Sequence, residues 1–434
     1  MENSTMTVNA IKNIAVNVCR FLVAATFIFS GYVKAIDPLG TQYKIHDYLV
    51  ALNIDSFIPS YLTLGASVIL AALEFSLGIL LLFAIRRRLV SKTILLFMAI
   101  MTATTVWIAL ANPVKDCGCF GDALKLTNWQ TLGKNIILLA AALAIWKAPL
   151  AMVRFISKAN QWIVINYTVI FCIATSTYCL YDLPLFDFRP YHIGADIRKG
   201  MEIPEGAEQP TFETTFILKK DGKTKEFTLD NYPDSTWTFV DSKTEQTSEG
   251  YVPPIHDFSM EDTATGDDLT QDILSDKGYT FLLIMPHLEN ADDSNFGDIN
   301  QIYDYCQKYG YRFYALTASN KKAIGRWTDM TGAEYGFLFT DETTLKTIVR
   351  SNPGLILIKG GTIIQKWSHN KLPKLNDSTP KLEKTPEGRL PQTSVGEKIG
   401  YVLLWFFMPL FLLTFADRTW AWTKWVRREK ESKS

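Results

Sequence analysis

Two cysteines one residue apart, in the run Asp116-Cys117-Gly118-Cys119-Phe120-Gly121-Asp122, are the residues of this chain best suited to chemistry. Thiols at that spacing close only a small, strained ring, and Gly118 supplies the backbone freedom that closure demands. Strained, exposed disulfides are usually the exchanging ones, so Cys117 and Cys119 read as a redox pair. Two blander readings stay open: a fixed structural bridge, or half of a metal site. Zinc would need two further ligands, for which Asp116, Asp122 and His46 are the nearby candidates; no metal is expected. Exchange needs a thiolate at one cysteine, and Asp116 and Asp122 are expected to oppose it by raising the thiol pKa.

The other four cysteines carry weaker signals. Cys19, Cys172 and Cys179 lie in apolar runs, and Cys306 lies in a polar half of the chain. Cys172 and Cys179 are seven apart and share a helix face, where Cys commonly serves as a small apolar residue. Glu74 sits in the middle of an apolar run, where an ionisable side chain is by default functional. A proton path or quinone contact and a hydrogen bond between helices are equal readings of it. Lys34, near the end of its run, is long enough to snorkel towards water.

These residues need a membrane to position them. Of the 434 residues only 20% are charged and 48% are hydrophobic, with 11 Trp; an ordinary soluble protein is ~25% charged. Six segments approach the ~20 apolar residues needed to span a bilayer. They are Asn13–Ile36, Tyr61–Ile85, Leu89–Ala111, Trp129–Trp146, Trp162–Leu180 and Ile399–Ala416. Arg20 interrupts the first run and no small-residue cleavage site follows cleanly, so it reads as a span and not a leader. Basic residues then set the orientation. Lys12, Arg86–Arg88, the group Lys147, Arg154 and Lys158, and the tail from Arg418 to Lys433 all fall on one side. That side is the cytoplasm, with Trp420, Trp422 and Trp425 anchoring the last span at the interface. The loop of Cys117 and Cys119, and everything from Asp182 to Val395, falls on the other. In a Gram-negative-type cell that is the periplasm, where disulfides persist. The net charge of +0 conceals this split, because Asp182 to Val395 holds roughly ten more acidic than basic residues. No basic stripe interleaved with aromatics appears, so nucleic acid is not an expected partner.

Asp182 to Gly206 is a Pro- and Gly-punctuated exit from the bilayer. Thr211–Lys220 and Thr224–Asp230, around Asp221-Gly222, read as a hairpin, with Thr236–Asp241 a third strand. From Pro253 the order becomes strand, helix, strand, helix, strand, strand. Phe258-Ser259-Met260 opens it and Tyr279–Met285 is a buried central strand. Phe296–Tyr309 is a helix, Arg312–Leu316 a strand, and Lys321–Met330 a second helix. Leu355–Ile358 and Thr362–Trp367 flank a Gly360-Gly361 turn. The domain expectation is 1–150 for a four-helix membrane module and 151–182 for a fifth span. A β-rich segment then covers 183–252, an α/β domain 253–385, and a linker, sixth span and basic tail 386–434.

The membrane module resembles the DoxX and MauE-like families. The resemblance rests on Gly31, Lys34, Asp37 and Pro38, on Glu74 and Gly78, and on Cys117-Gly118-Cys119-Phe120-Gly121. Leu126, Trp129, Lys134 and Asn135 follow that loop. It covers about residues 10–147 and implies a four-helix redox module, linked through DoxX to membrane quinones. MauE-like proteins are associated with maturation of a disulfide-rich methylamine dehydrogenase, which does not carry over because the appended domain differs. Pro253–Pro373 resembles the thioredoxin-like fold, with Pro353 where that fold keeps its cis proline. One departure matters. The stretch Pro286 to Asn295, where such enzymes place C-x-x-C, has no cysteine, and Cys306 falls further along the helix. The domain therefore reads as degenerate, used for binding. His287, Glu289, Asp292 and Asp293 in that stretch are a candidate cation site or a solvated acidic loop.

The expected function is thiol–disulfide redox chemistry outside the cytoplasm. Cys117 and Cys119 are the exchanging pair, with Glu74 in support and a membrane quinone as electron acceptor. Partners are the bilayer and a periplasmic client or thioredoxin-like protein. The alternative is a non-enzymatic, membrane-anchored binding or assembly factor. A transporter would need inverted repeats or broken helices, and neither appears.

Overall fold

An apolar run in lipid satisfies its backbone only as a helix, and the chain supplies such runs at both ends. The structure, a computed structural model, describes residues 2–114, 116–208, 211–220, 223–228, 238–248, 250–256 and 258–431. Helices α1 (Glu2–Ile36), α3 (Ser60–Leu82), α4 (Arg87–Ala111), α5 (Asn128–Lys147), α6 (Gln161–Tyr181) and α12 (Val395–Glu431) carry the six expected spans, the second ending at Leu82 and not at Ile85. A short helix, α2 (Pro38–Ala51), follows α1 directly. Its N-cap Asp37 accepts the Gly40 N–H at 2.9 Å, and Pro38 opens its first turn.

Helices α1 and α3 pack most closely. A Cβ on Gly31 would lie 2.3 Å from the Phe75 nitrogen, and one on Gly78 would lie 2.7 Å from the Ile28 nitrogen. Small residues let backbones approach where no hydrophobic drive separates protein from lipid. Arg20 is buried at the C-terminus of α3, where Nε donates to the Leu81 carbonyl at 3.0 Å and Nη1 to Val153 at 3.0 Å. The carbonyl end of a helix is where a cation belongs. Helix α12 lies at the edge of the bundle, packing Phe406 and Leu410 among Phe75 and Phe171.

Between α6 and α12 stands the extramembrane part. Short helix α7 (Ile197–Met201) precedes strands β1 (Thr211–Lys220), β2 (Lys223–Thr228) and β3 (Thr238–Ser248), an antiparallel sheet ordered β2-β1-β3. The expected Asp221-Gly222 turn lies outside the described residues. The α/β domain then runs β4 (Glu261–Asp262), α8 (Thr270–Ser275), β5 (Tyr279–Met285), α9 (Phe296–Tyr309) and β6 (Arg312–Thr317). It continues through α10 (Lys321–Thr331), β7 (Gly336–Phe339), α11 (Glu342–Ile348), β8 (Gly354–Lys359) and β9 (Thr362–Ser368). Its sheet order is β4-β7-β6-β5-β8-β9, with β5, β6 and β7 parallel and β8 and β9 antiparallel.

Central β5 is buried throughout, and its period of two feeds two cores. Phe281, Leu283 and Met285 pack with Ile299, Ile302 and Trp327, whereas Leu282 and Ile284 pack with Ile273, Leu345 and Ile348. From β5 onward every expected strand and helix is present, and the Asn352-Pro353 bond is cis. Three elements of the domain were not foreseen: α8 before the central strand, and β7 and α11 between the second helix and the final hairpin. The strand expected at Phe258–Met260 lies instead at Glu261–Asp262.

The domain is mounted on the bundle by its cis-proline end. Asn370 donates to the Tyr181 carbonyl at 2.7 Å, and Ser368 and Lys371 reach Asp182 at 3.2 and 2.6 Å. Buried Lys366 and Arg189 both bond Asp187, at 2.8 and 2.7 Å. Burial pushes the Lys366 ammonium down to about 8, against the pull of Asp187.

Candidate functional site

The cysteine loop is held at both ends. Asn112 closes α4 in the left-handed region, and Asn128, opening α5, donates to its side chain at 2.7 Å and to the Val114 carbonyl at 3.0 Å. Thr127 and Gln130 form a capping box that starts α5. Within the loop the Asp116 carboxylate accepts the Gly118 N–H at 2.9 Å, and Gly118 and Gly121 adopt positive φ. Cys117 is buried and Cys119 half-buried, and both are free thiols.

Beneath the loop lies a buried polar cluster. Lys34 Nζ sits 2.9 Å from Glu74 Oε2, 2.7 Å from Ser30 Oγ and 2.7 Å from the Cys119 carbonyl. Ser30 Oγ is also 2.6 Å from Glu74 and 2.7 Å from that carbonyl, and its single proton serves one of them at a time. Lys34 is 5% exposed and Glu74 3%. Lys34 therefore does not snorkel: an unpaired Glu74 carboxylate would be costly here, so the cation turns inward to neutralise it. Ser30 lies six residues before the end of α1, ~9 Å at 1.5 Å per residue, so the loop dips into the mouth of the bundle. On its other side Tyr48 donates to the Cys117 carbonyl at 2.8 Å.

The two thiols are unlike. A hydrogen bond from Cys117, followed by the nearby Lys134 and Lys34 ammonium groups, brings Cys119 down to about 6 against burial and Glu74. The same hydrogen bond, together with burial, pushes Cys117 well up. Lys134 stands 4.2 Å over the Phe120 ring and lines one small crevice with Cys119, Glu74 and Lys34. At Cys119 the expected influence of Asp116 and Asp122 is not what dominates. Asp116 pairs with Lys44 at 3.1 Å and Asp122 with Arg350 at 3.4 Å, so the charges facing Cys119 are chiefly lysines.

Arg350 joins the two halves. It bonds both Asp37 oxygens at 3.0 Å as well as reaching Asp122, and Tyr43 lies under its guanidinium at 5.3 Å. Burial would raise the Asp37 carboxyl, but Arg350 holds it below the usual carboxylate range.

The remaining candidates do not assemble. His287 pairs with Glu342 at 2.8 Å, Glu289 accepts from Ser319 at 2.8 Å, and Asp292 caps Ser294. No metal-ligating cluster occurs among the described residues. The Asp292 N–H donates to the Asn352 carbonyl at 3.0 Å, so the loop that replaces C-x-x-C is bonded to the residue before the cis proline. Cys306 is fully buried, and burial pushes its thiol up. Cys172 and Cys179 face the bundle interior and are buried. Sequence reasoning did not foresee Ser30, Tyr48 or Arg350, and left Lys134 without a role. Ser30 and Lys34 at i, i+4 were the available signal for a polar stripe on α1.

The membrane module with this loop matches a known family. Residues 12–147 match the model described as methylamine utilisation protein MauE, which includes Lys34, Glu74, Cys117, Cys119 and Lys134. Residues 212–249 match a domain of unknown function, DUF8463. No curated protein matches the chain. Among solved structures, the "putative protein disulfide isomerase from Bacteroides thetaiotaomicron" aligns at 14% identity, over 27% of this chain and 77% of that one, with a TM-score of 0.22. An uncharacterized conserved protein from Geobacillus kaustophilus aligns at 12% identity, over 32% and 83%, with a TM-score of 0.24.

Proposed function

We propose that the MauE-like module is a membrane thiol–disulfide oxidoreductase whose nucleophile is Cys119 and whose resolving thiol is Cys117. The observation that carries this reading is their asymmetry. Cys119 lines a crevice with Lys34 and Lys134, whereas Cys117 is buried and lines none of it, and the hydrogen bond between them runs from Cys117 to Cys119. Thiolate is the attacking form, and a pKa near ambient pH gives the best compromise with nucleophilicity.

In the reducing direction Cys119 thiolate attacks one sulfur of a client disulfide, forming a mixed disulfide and releasing a client thiolate. That thiolate takes up the proton that Cys117 gives up. Cys117 then attacks the Cys119 sulfur, the second client thiolate leaves and is protonated from water, and the Cys117–Cys119 disulfide closes. Two electrons pass to the client. Run backwards, the same steps oxidise a client dithiol and leave the loop reduced. Lys34 and Ser30, both in contact with Glu74, hold the Cys119 carbonyl throughout, and Lys134 offsets the thiolate charge.

In the oxidising direction the loop needs a two-electron acceptor, and a membrane quinone is the class that meets it. An apolar cavity of about 380 Å³ between α1, α3, α6 and α12 includes Phe75 and Phe406 in its wall, with the buried Tyr32 hydroxyl unpartnered. These three residues would hold such a ring, which takes up two electrons and two protons when bound. The basic ends of the spans favour a bacterial inner membrane, both termini cytoplasmic, with the loop and α/β domain periplasmic.

The test is redox trapping in intact cells with a mass-tagging alkylator. Cys117→Ser is expected to accumulate a mixed disulfide on Cys119, and the wild-type pair to cycle with a reductant pulse. A pair fixed in one state under every condition would instead support the assembly-factor reading, which the absence of cysteine from Pro286 to Asn295 favours.

A further inference from the structure

Two cavities meet where the chain leaves the bundle and returns to it. The first is the apolar groove of about 380 Å³ between α1 and α12. Its α12 wall runs from Ile399 to Phe407, ~12 Å at 1.5 Å per residue and so less than half of a ~30 Å hydrocarbon core. The groove is one leaflet deep. The second cavity, of about 440 Å³, lies between Asp182, just past the end of α6, and Val395, the first residue of α12. That is the level at which both spans leave the hydrocarbon, on the side of the α/β domain. Phe186 and Phe188, stacked at 6.3 Å, line both cavities, so the polar one continues into the apolar one around their rings.

The polar cavity carries more positive charge than its carboxylates neutralise. Buried Lys366 and Arg189 share one carboxylate, Asp187, at 2.8 and 2.7 Å. Asp182 is taken by Lys371 at 2.6 Å. Lys398, in the first turn of α12, is exposed and pairs with no carboxylate among the described residues. Its neighbour Glu397 accepts the Ser394 N–H at 3.0 Å. We propose that the two cavities together bind one anionic glycerophospholipid from the leaflet on the domain's side. Its phosphate lies beside Lys398, and one acyl chain fills the groove between α1 and α12. Charge and depth select this occupant. A neutral lipid leaves Lys398 without a partner, and a soluble anion has no use for the groove. A transmembrane helix of a partner would need a groove running through both leaflets. Lys398 also stands at the head of a lipid-facing span, where basic side chains attract anionic headgroups. The inference does not rest on the redox reading: a quinone ring and this chain would occupy the groove in turn.

The experiment uses the full-length protein in detergent micelles and reads bound lipid by native mass spectrometry. The probes are phosphatidylglycerol, phosphatidylcholine with the same acyl chains, and glycerol phosphate, which has the anion and no chain. Wild type should bind one phosphatidylglycerol about fivefold more tightly than phosphatidylcholine, the preference that one lysine gives near an anionic headgroup. Lys398→Gln should remove that preference and leave phosphatidylcholine binding as it was. Leu403→Trp, at a half-exposed position of the groove, should weaken both lipids at least about tenfold, the effect of exposing roughly two methylene groups of the chain. Lys424→Gln, in the basic tail, is the control for charge elsewhere and should keep the preference. Equal affinity of wild type for the two lipids would overturn the proposal, as would a preference that survives Lys398→Gln or disappears in Lys424→Gln. Glycerol phosphate that displaces phosphatidylglycerol at equal concentration would show a free-phosphate site and overturn it too. So would Leu403→Trp binding both lipids as wild type does, because the chain would then lie elsewhere.

Discussion

Removing the Cys117 thiol by Cys117→Ala deletes the largest influence that lowers Cys119, while Lys134 and Lys34 remain. Cys119 at about 6 is ~90% thiolate at pH 7, against ~1% at its ordinary 9.0. Complete reversal would therefore cut the thiolate population ~90-fold. Nucleophilicity moves the other way: with a Brønsted slope of ~0.45, three units of basicity return ~20-fold in intrinsic reactivity. The net loss at pH 7 is only ~4-fold, so a rate at one pH is a poor reporter and the titration midpoint is a good one. The assay is iodoacetamide alkylation in nanodiscs from pH 5 to 10, with Cys119 resolved by peptide mass spectrometry. The sign is fixed, because thiolate persists above the lowered pKa. Wild type should show a midpoint near 6, Cys117→Ala should move it upward by at least about one unit, and Lys134→Met should move it upward too. A wild-type midpoint near 9, or one that Cys117→Ala leaves in place, refutes the asymmetry argument. Fully buried Cys306 is the internal control and should stay unlabelled.

Glu74→Gln and Lys34→Met each leave one buried charge unpaired, which costs ~3–5 kcal/mol; thermal unfolding in detergent should show both destabilised and the double variant partly recovered. Single variants as stable as wild type would mean that the pair does not hold the loop. Gly31→Ala puts a methyl group against the Phe75 backbone, and overpacking of that kind costs ~1–3 kcal/mol, read by the same melt. Because Arg350 holds the Asp37 carboxyl low, docking should be fully present above its unfolded value of ~3.9 and be lost only as pH falls below that. Crosslinking between α2 and α11 that already disappears at pH 5 would contradict this.

Much of the architecture was legible because its signals are local. Long apolar runs, arginines between them and the buried Tyr279–Met285 strand each depend on few neighbours. The cysteine pair was conspicuous too, since Gly118 between two thiols is a chemical statement by itself. What escaped depends on distance in sequence. The partner of Asp122 is 228 residues away, so flanking acids looked as though they would suppress the thiolate when they are neutralised from elsewhere. Lys34 looked free to snorkel because Glu74 is 40 residues on. Helix α2, in contrast, was written in plain terms: Asp37 as cap and Pro38 in the first turn, overshadowed by the long span before them. Elements β7 and α11 are four and seven residues long, too short to show a convincing period.

The chain leaves the bundle at Tyr181 and re-enters it at Val395, so the α/β domain is leashed at two points. Its contact with the cysteine loop is therefore one within a single molecule, for which local concentrations are on the order of millimolar. An intrinsic affinity of only ~4 kcal/mol, equivalent to a millimolar dissociation constant, keeps the two surfaces together about half the time. Occupancy of that contact is then independent of how many copies the membrane holds. Cutting either leash would lower the local concentration without touching a single contact.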